Sequence, residues 1–342
     1  MTPARFTAVT NRYRRLRIAI AGDFCLDRYL EIDPARKEDS IETGLPVHNV
    51  VRVRSQPGGA GTILNNLVAL GIGTIFPIGF AGEDGEGFEL KRALAALPGV
   101  QMKAFISTAQ RRTFTYCKPL IITPGQPPRE LNRLDSKNWT PTPAGLQRLL
   151  IEAANALAPK VDAIILMEQV DVPETGVITP RFLRAIRAMK KKYPNLMVMA
   201  DSRRSLQDYP PVCLKMNRAE LSVLAGKKHL VPLQEVGPTA VTLARQKGNH
   251  CFITLSEKGI LGAGPDGSVE QLPTLPVRGE IDVVGAGDCV TANLTAALAA
   301  GAALREALEL ANTAASIVVH KLGTTGTASV AEIKALIRAQ TR

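Results

Sequence analysis

The chain has 342 residues, of which 45% are hydrophobic and 21% are charged, a composition typical of a globular protein. Its formal net charge is +11, but the basic excess is spread along the chain and does not interleave with aromatic residues, so we expect no nucleic-acid partner. No apolar run is long enough to span a bilayer, so we expect no membrane association either.

The first seventeen residues carry five arginines and no acidic residue, and we interpret them as a frayed basic tail. Beyond them, short apolar runs without polar alternation predict strands buried on both faces, at 17–21, 74–79, 162–167, 196–200 and 251–255. Helical spacing follows at 64–70, 88–97, 144–158, 180–192, 236–247, 290–300 and 304–318. This alternation predicts a doubly wound α/β fold with a mostly parallel central sheet flanked by helices, and we expect one domain over residues 1–342.

Two segments, at about 27–55 and 105–135, break this rhythm because polar and apolar residues alternate in them, as in 47–53 and 112–117. Such alternation is typical of strands with one open face. We interpret the segments as insertions that form a small β lid over a ligand site, where a lid would exclude water. Ordinary surface hairpins are the alternative interpretation.

The cysteines are five in number and stand singly, without a Cys-x-x-Cys pair, which argues against a disulfide framework or a zinc site. Such cysteines suit a reducing compartment, and we predict a cytoplasmic location. The four histidines are also isolated and form no metal-spaced pair. The chain has neither a P-loop motif nor a Gly-x-Gly-x-x-Gly motif after its first strand.

Residues 282–290 (DVVGAGDCV) place a small-residue turn and a carboxylate just before an apolar, Ala-rich helical segment. Backbone N–H groups at a helix start lack partners inside the helix and favour an anion, which Gly285 and Gly287 would let approach closely. A carboxylate repels a bound anion, so the presence of Asp288 beside the anion site favours a chemical role for it. The role we predict is that of a base that takes a proton from a hydroxyl attacking a phosphoryl group. A helix cap after an ordinary glycine turn is the alternative.

This run resembles the signature of the PfkB-type, ribokinase-like carbohydrate kinases, and the resemblance extends over about residues 17–330. It implies a ribokinase-like fold, ATP and Mg²⁺ as cofactors, and phosphorylation of a sugar or sugar-phosphate hydroxyl. It also implies that Asp288 is the base and that the amides of Gly285, Ala286 and Gly287 form an anion hole. The alternatives are a kinase for a simple sugar or nucleoside and a non-catalytic sugar sensor.

The sugar side of the site is implied by residues near the two ends of the first lid segment. Asp27 matches the family acid that accepts hydrogen bonds from sugar hydroxyls, and Gly58 with Gly59 matches the Gly-Gly motif at the lid hinge. The family's Asn after these glycines is replaced here, with Thr62 as its nearest equivalent. A shorter hydroxyl makes fewer hydrogen bonds, so this departure favours altered sugar geometry, or the sensor.

Three further stretches are similar to the heptose-7-phosphate kinase branch of the family: 22–29 (GDFCLDRY), 132–135 (NRLD) and 321–324 (KLGT). Arg112 and Arg133 are the candidates for contacting the sugar or a phosphate that it carries. Solvated lid arginines are the alternative for both. Members of that branch often carry a fused nucleotidylyltransferase domain, which we do not expect in a chain that ends at Arg342.

The nucleotide side is implied by motifs in the second half of the chain. Asn217 and Glu220 match the family's Asn-x-x-Glu motif, in which Glu220 would bind Mg²⁺ through water, although the same spacing also forms a helix cap. Three residues match the segment that borders the nucleotide, and a fourth lies where the family contacts adenine: Thr254, Ser256, Gly259 and Asn312. A polar residue on a partly exposed helix is the alternative for the last of these.

Two finer expectations concern ions and assembly. The main-chain oxygens of Asp282 and Val284 could join a monovalent-cation site, with K⁺ as the candidate ion. A lid of this kind also suggests a homodimer that forms through the lid.

Overall fold

The computed structural model describes residues 1–323 and 325–340, so Thr324 of the 321–324 motif lies outside the described residues. The strands within that part are β1 (Arg17–Gly22), β2 (Phe24–Asp39), β3 (Pro46–Gly59), β4 (Thr74–Gly82), β5 (Phe105–Thr108), β6 (Phe114–Ile121), β7 (Arg129–Glu130), β8 (Leu134–Ser136), β9 (Ala163–Glu168), β10 (Met197–Ser202), β11 (Cys213–Asn217), β12 (Cys251–Thr254), β13 (Ile260–Ala263) and β14 (Val269–Leu272). The helices there are α1 (Pro3–Thr10), α2 (Ala60–Ala69), α3 (Gly85–Ala95), α4 (Ala144–Leu157), α5 (Pro180–Lys192), α6 (Arg218–Leu224), α7 (Leu233–Lys247), α8 (Ala286–Ala299), α9 (Leu304–Val318) and α10 (Val330–Gln340). None of these helices combines the length and apolarity needed to cross a bilayer.

The central sheet has the strand order β14-β13-β12-β11-β10-β9-β1-β4-β5. The strands from β12 to β5 pair in parallel, and β13 and β14 add an antiparallel edge. Helices cover both faces, because neighbouring residues of β1 belong to different cores: Ile18 and Ile20 pack into one, and Ala19 and Ala21 into the other. The predicted doubly wound, mostly parallel sheet is therefore confirmed.

A second sheet carries the alternating segments, in the order β3-β2-β6-β7 with β8 also paired to β6. Most of β3 is exposed or half-buried on both faces, and only its last three residues, up to Gly59, are buried. The segment Phe105–Thr108, which the alternation assigns to the lid, instead pairs with β4 at the edge of the central sheet. This edge strand has only four residues, all half-buried or exposed, so it lacks the long buried apolar run that marks the other central strands.

The N-terminal residues form α1 and dock on the body of the protein, so the expectation of a frayed tail is wrong. Phe6 and Val9 are buried in the core, and Arg5 Nε lies 2.7 Å from Glu306 Oε1. Arg12 Nη1 donates to the Ala300 carbonyl oxygen at 2.8 Å. The arginines therefore hold this segment against α9 and the end of α8.

The carboxyl ends of the parallel strands meet at one edge of the central sheet. β1 passes into the lid strand β2, while Gln169, Arg203 and Asn217 follow or end β9, β10 and β11. Ligands of open α/β sheets bind outside this edge. The first turns of α8 lie there too, because Thr291 of α8 donates to Asp201 near the end of β10.

Candidate active site

The turn that begins α8 exposes peptide N–H groups next to a carboxylate. Gly285 is the N-cap with φ +81°, and a Cβ at this position would overlap the Thr325 methyl group, so the turn requires glycine. The amide of Ala286 donates to Val283 O at 3.2 Å, whereas the amides of Gly285 and Gly287 have no acceptor among the described residues. The amide of Ala286, which was predicted to belong to the anion hole, is thus already engaged, whereas those of Gly285 and Gly287 remain available to an anion at the start of the helix.

Asp288 lies in the first turn of α8 and is half-buried, so the residue is not enclosed in the packed interior. Burial of its carboxyl group, with the nearby charge of Asp201, raises its pKa to about 7, against the opposing charges of Lys215 and Arg203. A carboxyl group with a pKa near the working pH can accept a proton and later release it.

A buried ion pair lies behind Asp288. Lys215 Nζ is 2.9 Å from Asp201 Oδ2, and the Thr291 hydroxyl donates to the same oxygen at 2.7 Å. All three residues are at most 7% exposed. A Cβ added at Gly287 would lie 3.0 Å from Lys215 Nζ, so the ammonium group packs against the first turn of α8.

Lys215 keeps its proton in this position. Burial alone would lower its pKa, but Asp201 and the more distant Asp288 and Glu220 hold the pKa above its ordinary value. The sequence analysis missed Asp201 and Lys215. A usable signal was present, because each is a charged residue inside or at the end of an otherwise apolar strand.

On the opposite side of the cleft, Asp27 of β2 packs against the glycine pair of β3. A Cβ at Gly58 would lie 2.6 Å from Asp27 Oδ2 and 2.9 Å from Cys25 Sγ. Gly59 has φ +58°, and a Cβ there would lie 2.6 Å from Asp23 O. Both glycines are therefore required for the backbone to approach this acidic group.

Asp27 is 8% exposed, and burial raises its pKa, against the charges of Lys118, Arg133 and Arg203. Thr62 lies on α2, and its methyl group would be 3.6 Å from a Cβ at Gly285. Thr62, the residue predicted to bind the sugar, thus lies against the turn that begins α8, and it follows the glycine pair of β3 by three residues.

The two predicted lid arginines differ in position. Arg133 pairs with Asp135 at 2.8 Å and lies 4.8 Å above the centre of the Tyr116 ring, near Asp27. Arg112 is exposed, and its backbone N donates to the side chain of Asn138 at 3.1 Å. The charge of Arg112 acts on the carboxyl group at the start of α3, and no contact joins it to Asp27 within the described part of the chain.

The Asn-x-x-Glu motif forms a complete capping box at the start of α6. Asn217 Oδ1 accepts from the amide of Glu220 at 2.9 Å, and Glu220 Oε2 accepts from the amide of Asn217 at 2.7 Å. The capping alternative is therefore present, and it leaves Oε1 of Glu220 for another partner. Burial raises the pKa of Glu220, and the charge of Asp201 adds to this rise.

The site offers a divalent metal few direct ligands. The residues described contain no group of three or more His, Cys, Asp or Glu side chains placed to hold a metal. Mg²⁺ keeps most of its water ligands and needs only one or two carboxylates. The negative charges of Asp201, Glu220 and Asp288 act on one another, so a hydrated dication fits this side of the cleft.

The predicted nucleotide-border residues lie at the end of β12 and around it. Thr254 Oγ1 donates to Met216 O at 3.4 Å, and Ser256 adopts φ +52°, a left-handed conformation that costs free energy for a residue other than glycine. Gly259 has φ +94°, and a Cβ there would overlap the Leu272 carbonyl oxygen. Asn312 Nδ2 donates to Pro273 O at 2.7 Å, so its amide nitrogen is already engaged.

The segment before α8 is folded around Asp282. The Val284 amide donates to Asp282 Oδ1 at 3.0 Å, and the Asp282 amide donates to Val319 O at 2.7 Å. Neither contact involves the main-chain oxygen of Asp282 or that of Val284, the two predicted cation ligands. The monovalent-cation site therefore stays a prediction.

A further pair that the sequence analysis missed lies at the ends of β9 and β10. With the Gln169 amide oriented so that its oxygen faces the guanidinium group, the nitrogens of Arg203 lie 3.0–3.2 Å from that oxygen. The Gln169 side chain packs against Gly59, since a Cβ there would be 3.2 Å from its Cγ. The only sequence signal was polar residues directly after two apolar strands.

Known proteins of two kinds are similar to this chain. The bifunctional protein HldE of Trichlorobacter lovleyi is 31% identical over 97% of this chain and 65% of its own length, and HldE of Pelobacter propionicus is 32% identical over 95% and 64%. The chain spans less than two thirds of the length of these relatives.

Solved structures share the fold at lower identity. Arabidopsis thaliana ribokinase complexed with ribose and ATP aligns with a TM-score of 0.66 and 18% identity over 94% of this chain and 99% of its own. Escherichia coli phosphofructokinase-2 in complex with fructose-6-phosphate aligns with a TM-score of 0.70 and 18% identity, over 96% of this chain and 100% of its own. Residues 24–331 match the description of the pfkB family carbohydrate kinases, a span that includes both sides of the cleft. The chain therefore belongs to the pfkB family of carbohydrate kinases.

Proposed function

We propose that this protein, as one kinase domain over residues 1–342, transfers the γ-phosphoryl group of ATP to a hydroxyl group of a sugar or sugar phosphate. The observation that carries the proposal is the start of α8, where two N–H groups without acceptors adjoin a carboxyl group whose pKa is about 7. An anion-binding turn alone would suit many ligands. The adjacent base is what favours phosphoryl transfer from a donor to an alcohol.

Each residue of the cleft has a distinct role in this transfer. Asp288 accepts the proton of the attacking hydroxyl at a carboxylate oxygen, while Asp27 accepts hydrogen bonds from the other sugar hydroxyls. The amides of Gly285 and Gly287 donate to the phosphoryl oxygens, whose negative charge is spread in the transition state. Lys215 adds a buried positive charge behind the same turn. Mg²⁺, held through its water shell by Glu220, would offset the charge of the ATP phosphates when it is bound.

Heptose 7-phosphate is the leading candidate for the acceptor. The motifs at 22–29 and 132–135 resemble the heptose-7-phosphate kinase branch, and the similar proteins named HldE are consistent with that branch. The cations Lys118 and Arg133 near Asp27 would suit an acceptor that already carries a phosphate. A simple sugar or a nucleoside remains the second candidate, since the solved relatives include a ribokinase.

Further features of the proposal concern assembly and ions. Val50, Val51 and Val53 of β3 are 42–52% exposed on the lid, a surface that a homodimer through the lid would cover. Sedimentation of wild type and Val51→Asp tests this, and a monomeric wild type contradicts it. A K⁺ requirement would be seen as turnover that depends on K⁺ over Na⁺.

Asp288→Asn tests the proposed function. Loss of a general base lowers turnover by roughly 10²–10⁴-fold, so we expect ADP release to fall by that factor while ATP binding persists in titration calorimetry. Asp208→Asn, an exposed carboxylate in the loop after β10, is the matched control. Turnover of Asp288→Asn within about tenfold of wild type contradicts the base role. Sugar binding by wild type without ADP release on a panel of sugars and sugar phosphates would favour the sensor alternative.

A further inference from the structure

Arg203 is held at the carboxyl edge of the central sheet by fixed neighbours. It follows β10 directly, and its backbone N donates to Glu168 O at 3.0 Å. Its guanidinium nitrogens lie 3.0–3.2 Å from the oxygen of Gln169, whose own backbone N donates to the buried Asp23 at 2.8 Å. The guanidinium group therefore lies against the Gln169 side chain, whose Cγ would be 3.2 Å from a Cβ at Gly59, although Arg203 itself is exposed.

The partner of this guanidinium group is neutral. Among the residues that the structure describes, no carboxylate lies within ion-pair distance of Arg203. Its neighbour Arg204 is different, since Nη1 of that residue lies 3.0 Å from Glu168 Oε1. Arg133 on the lid is likewise paired with Asp135. Arg203 thus keeps a full positive charge for something else that enters the cleft.

The charge of Arg203 acts on acids from both sides of the site. Burial raises the pKa of Asp27, of Glu220 and of Asp288, and the charge of Arg203 acts against that rise in all three. The acceptor acid, the metal-side acid and the base therefore all lie within its electrostatic reach. The carboxylates alone would repel a phosphorylated reactant, and Arg203 is the cation that acts on the acids of both sides, whereas Lys118 and Arg133 act on Asp27.

We infer that Arg203 binds phosphoryl oxygens of the reactants in the space between Asp27 and Asp288. The planar fork of a guanidinium group matches two phosphate oxygens. The near-equal distances from its three nitrogens place the Gln169 oxygen over the face of the group, which leaves the in-plane N–H donors available. This inference rests on the proposed function and adds a substrate-contacting residue to it. The phosphoryl group is either the one being transferred or one that the acceptor already carries.

Arg203→Met and Arg203→Lys separate these two sources. The measurements are kcat, KM and calorimetric binding for a phosphorylated acceptor and for its unphosphorylated counterpart. If the transferred group is bound, Arg203→Met lowers kcat by about 10- to 100-fold with both acceptors and leaves their binding unchanged. If the acceptor's phosphate is bound, KM and Kd rise by that factor for the phosphorylated acceptor alone. Arg203→Lys keeps the charge but loses the fork, so it should fall between wild type and Arg203→Met.

The control is Arg148→Met, an exposed arginine on α4 far from the cleft, and thermal melting checks that each variant is folded. Values for Arg203→Met within about twofold of wild type for both acceptors overturn the inference. A wild type without turnover on any acceptor contradicts the proposed function but still tests Arg203, through calorimetric binding of the sugar phosphate and of inorganic phosphate. Equal binding of both probes by wild type and Arg203→Met would then overturn the inference.

Discussion

The two sides of the cleft hold their charged groups in different ways. On the base side, Lys215, Asp201 and Thr291 come from β11, β10 and α8 of the body, and their hydrogen bonds are buried. On the acceptor side, Asp27 lies on β2 of the second sheet, and the nearby cation Arg133 has a side chain that is 42% exposed and paired with Asp135. The base side is therefore held by buried contacts of the central sheet, whereas the acceptor side includes an exposed cation on the second sheet.

This difference indicates which kinetic constant each side controls. Groups that are fixed before the substrate arrives act on the transition state, and their loss lowers kcat. Groups on a lid contribute to recognition and closure, so their loss raises KM first. Variants of the base side should therefore lower kcat, and variants of the acceptor side should raise the acceptor KM.

The largest effect is expected for Lys215→Met. This change removes the buried cation behind Gly287, so kcat should fall by roughly 10²–10³-fold with little change in acceptor KM. Removing one partner of a buried ion pair also costs about 3–5 kcal/mol of stability. The double variant Lys215→Met/Asp201→Asn restores charge balance and serves as the folded control. A rise in acceptor KM at wild-type kcat would place Lys215 on the acceptor side instead.

Gly58→Ala tests the acceptor side through the close approach of Gly58 to the Asp27 carboxylate. The new methyl group would lie 2.6 Å from Asp27 Oδ2, so the carboxylate must move, and KM for the acceptor should rise about tenfold or more at unchanged KM for ATP. Gly145→Ala on α4 is the matched control, because a Cβ there meets open space. An unchanged acceptor KM in Gly58→Ala would show that Asp27 does not bind the acceptor.

The base side was the more predictable from sequence, because one continuous segment encodes it. Residues 282–290 contain the turn, the N–H groups and the carboxyl group together, so no long-range contact had to be inferred. The helix at 180–192 was predictable for a similar reason, since Thr179 caps it, Pro180 begins it and a run of three lysines ends it. The central strands followed from apolar runs that the parallel sheet buries on both faces.

The parts that sequence did not predict depend on contacts between distant segments. Asp201 and Thr291 are 90 residues apart, and Gln169 and Arg203 lie at the ends of two strands whose adjacency only the fold fixes. The docking of α1 failed as a prediction because two apolar side chains, Phe6 and Val9, are too few to stand out among five arginines.

The pH dependence of kcat/KM sharpens the assignment of the base. The pKa of Asp288 is raised to about 7, so the carboxylate is protonated below that pH and cannot accept a proton. Activity should rise by about tenfold per pH unit up to about pH 6 and level off above about pH 8. The Lys215→Met/Asp201→Asn control should shift this midpoint. A flat profile between about pH 5.5 and pH 8 would contradict the assignment.

Within the lid, the two arginines predicted as acceptor contacts should differ. Arg133 lies near Asp27, so Arg133→Ala should raise acceptor KM by about three- to tenfold. Arg112 lies beside the start of α3, so Arg112→Ala should leave acceptor KM within about twofold of wild type. Steady-state kinetics at fixed ATP measures both. A larger effect for Arg112→Ala would mean that the lid moves substantially when the acceptor binds.

The smallest effect concerns stability on the base side, where a functional carboxylate should cost the fold free energy. The folded-state pKa of Asp288 is about 7 against an ordinary value of 3.8, so the unfolded chain releases the proton more readily. This group therefore lowers the free energy of unfolding as pH rises from 3.8 to about 7, and the penalty is constant above that pH.

Asp288→Asn removes the titrating group, so its free energy of unfolding at about pH 8 should exceed that of wild type by about 1–2 kcal/mol. The gain should shrink toward about pH 4, where the wild-type carboxyl group is protonated in both states. Urea unfolding at the two pH values measures it, with Asp208→Asn as the control that should show no such difference. A variant that is less stable than wild type at the higher pH would mean that Asp288 is held by favourable contacts, and the base side would then be a structural feature of the fold and not a strained catalytic one.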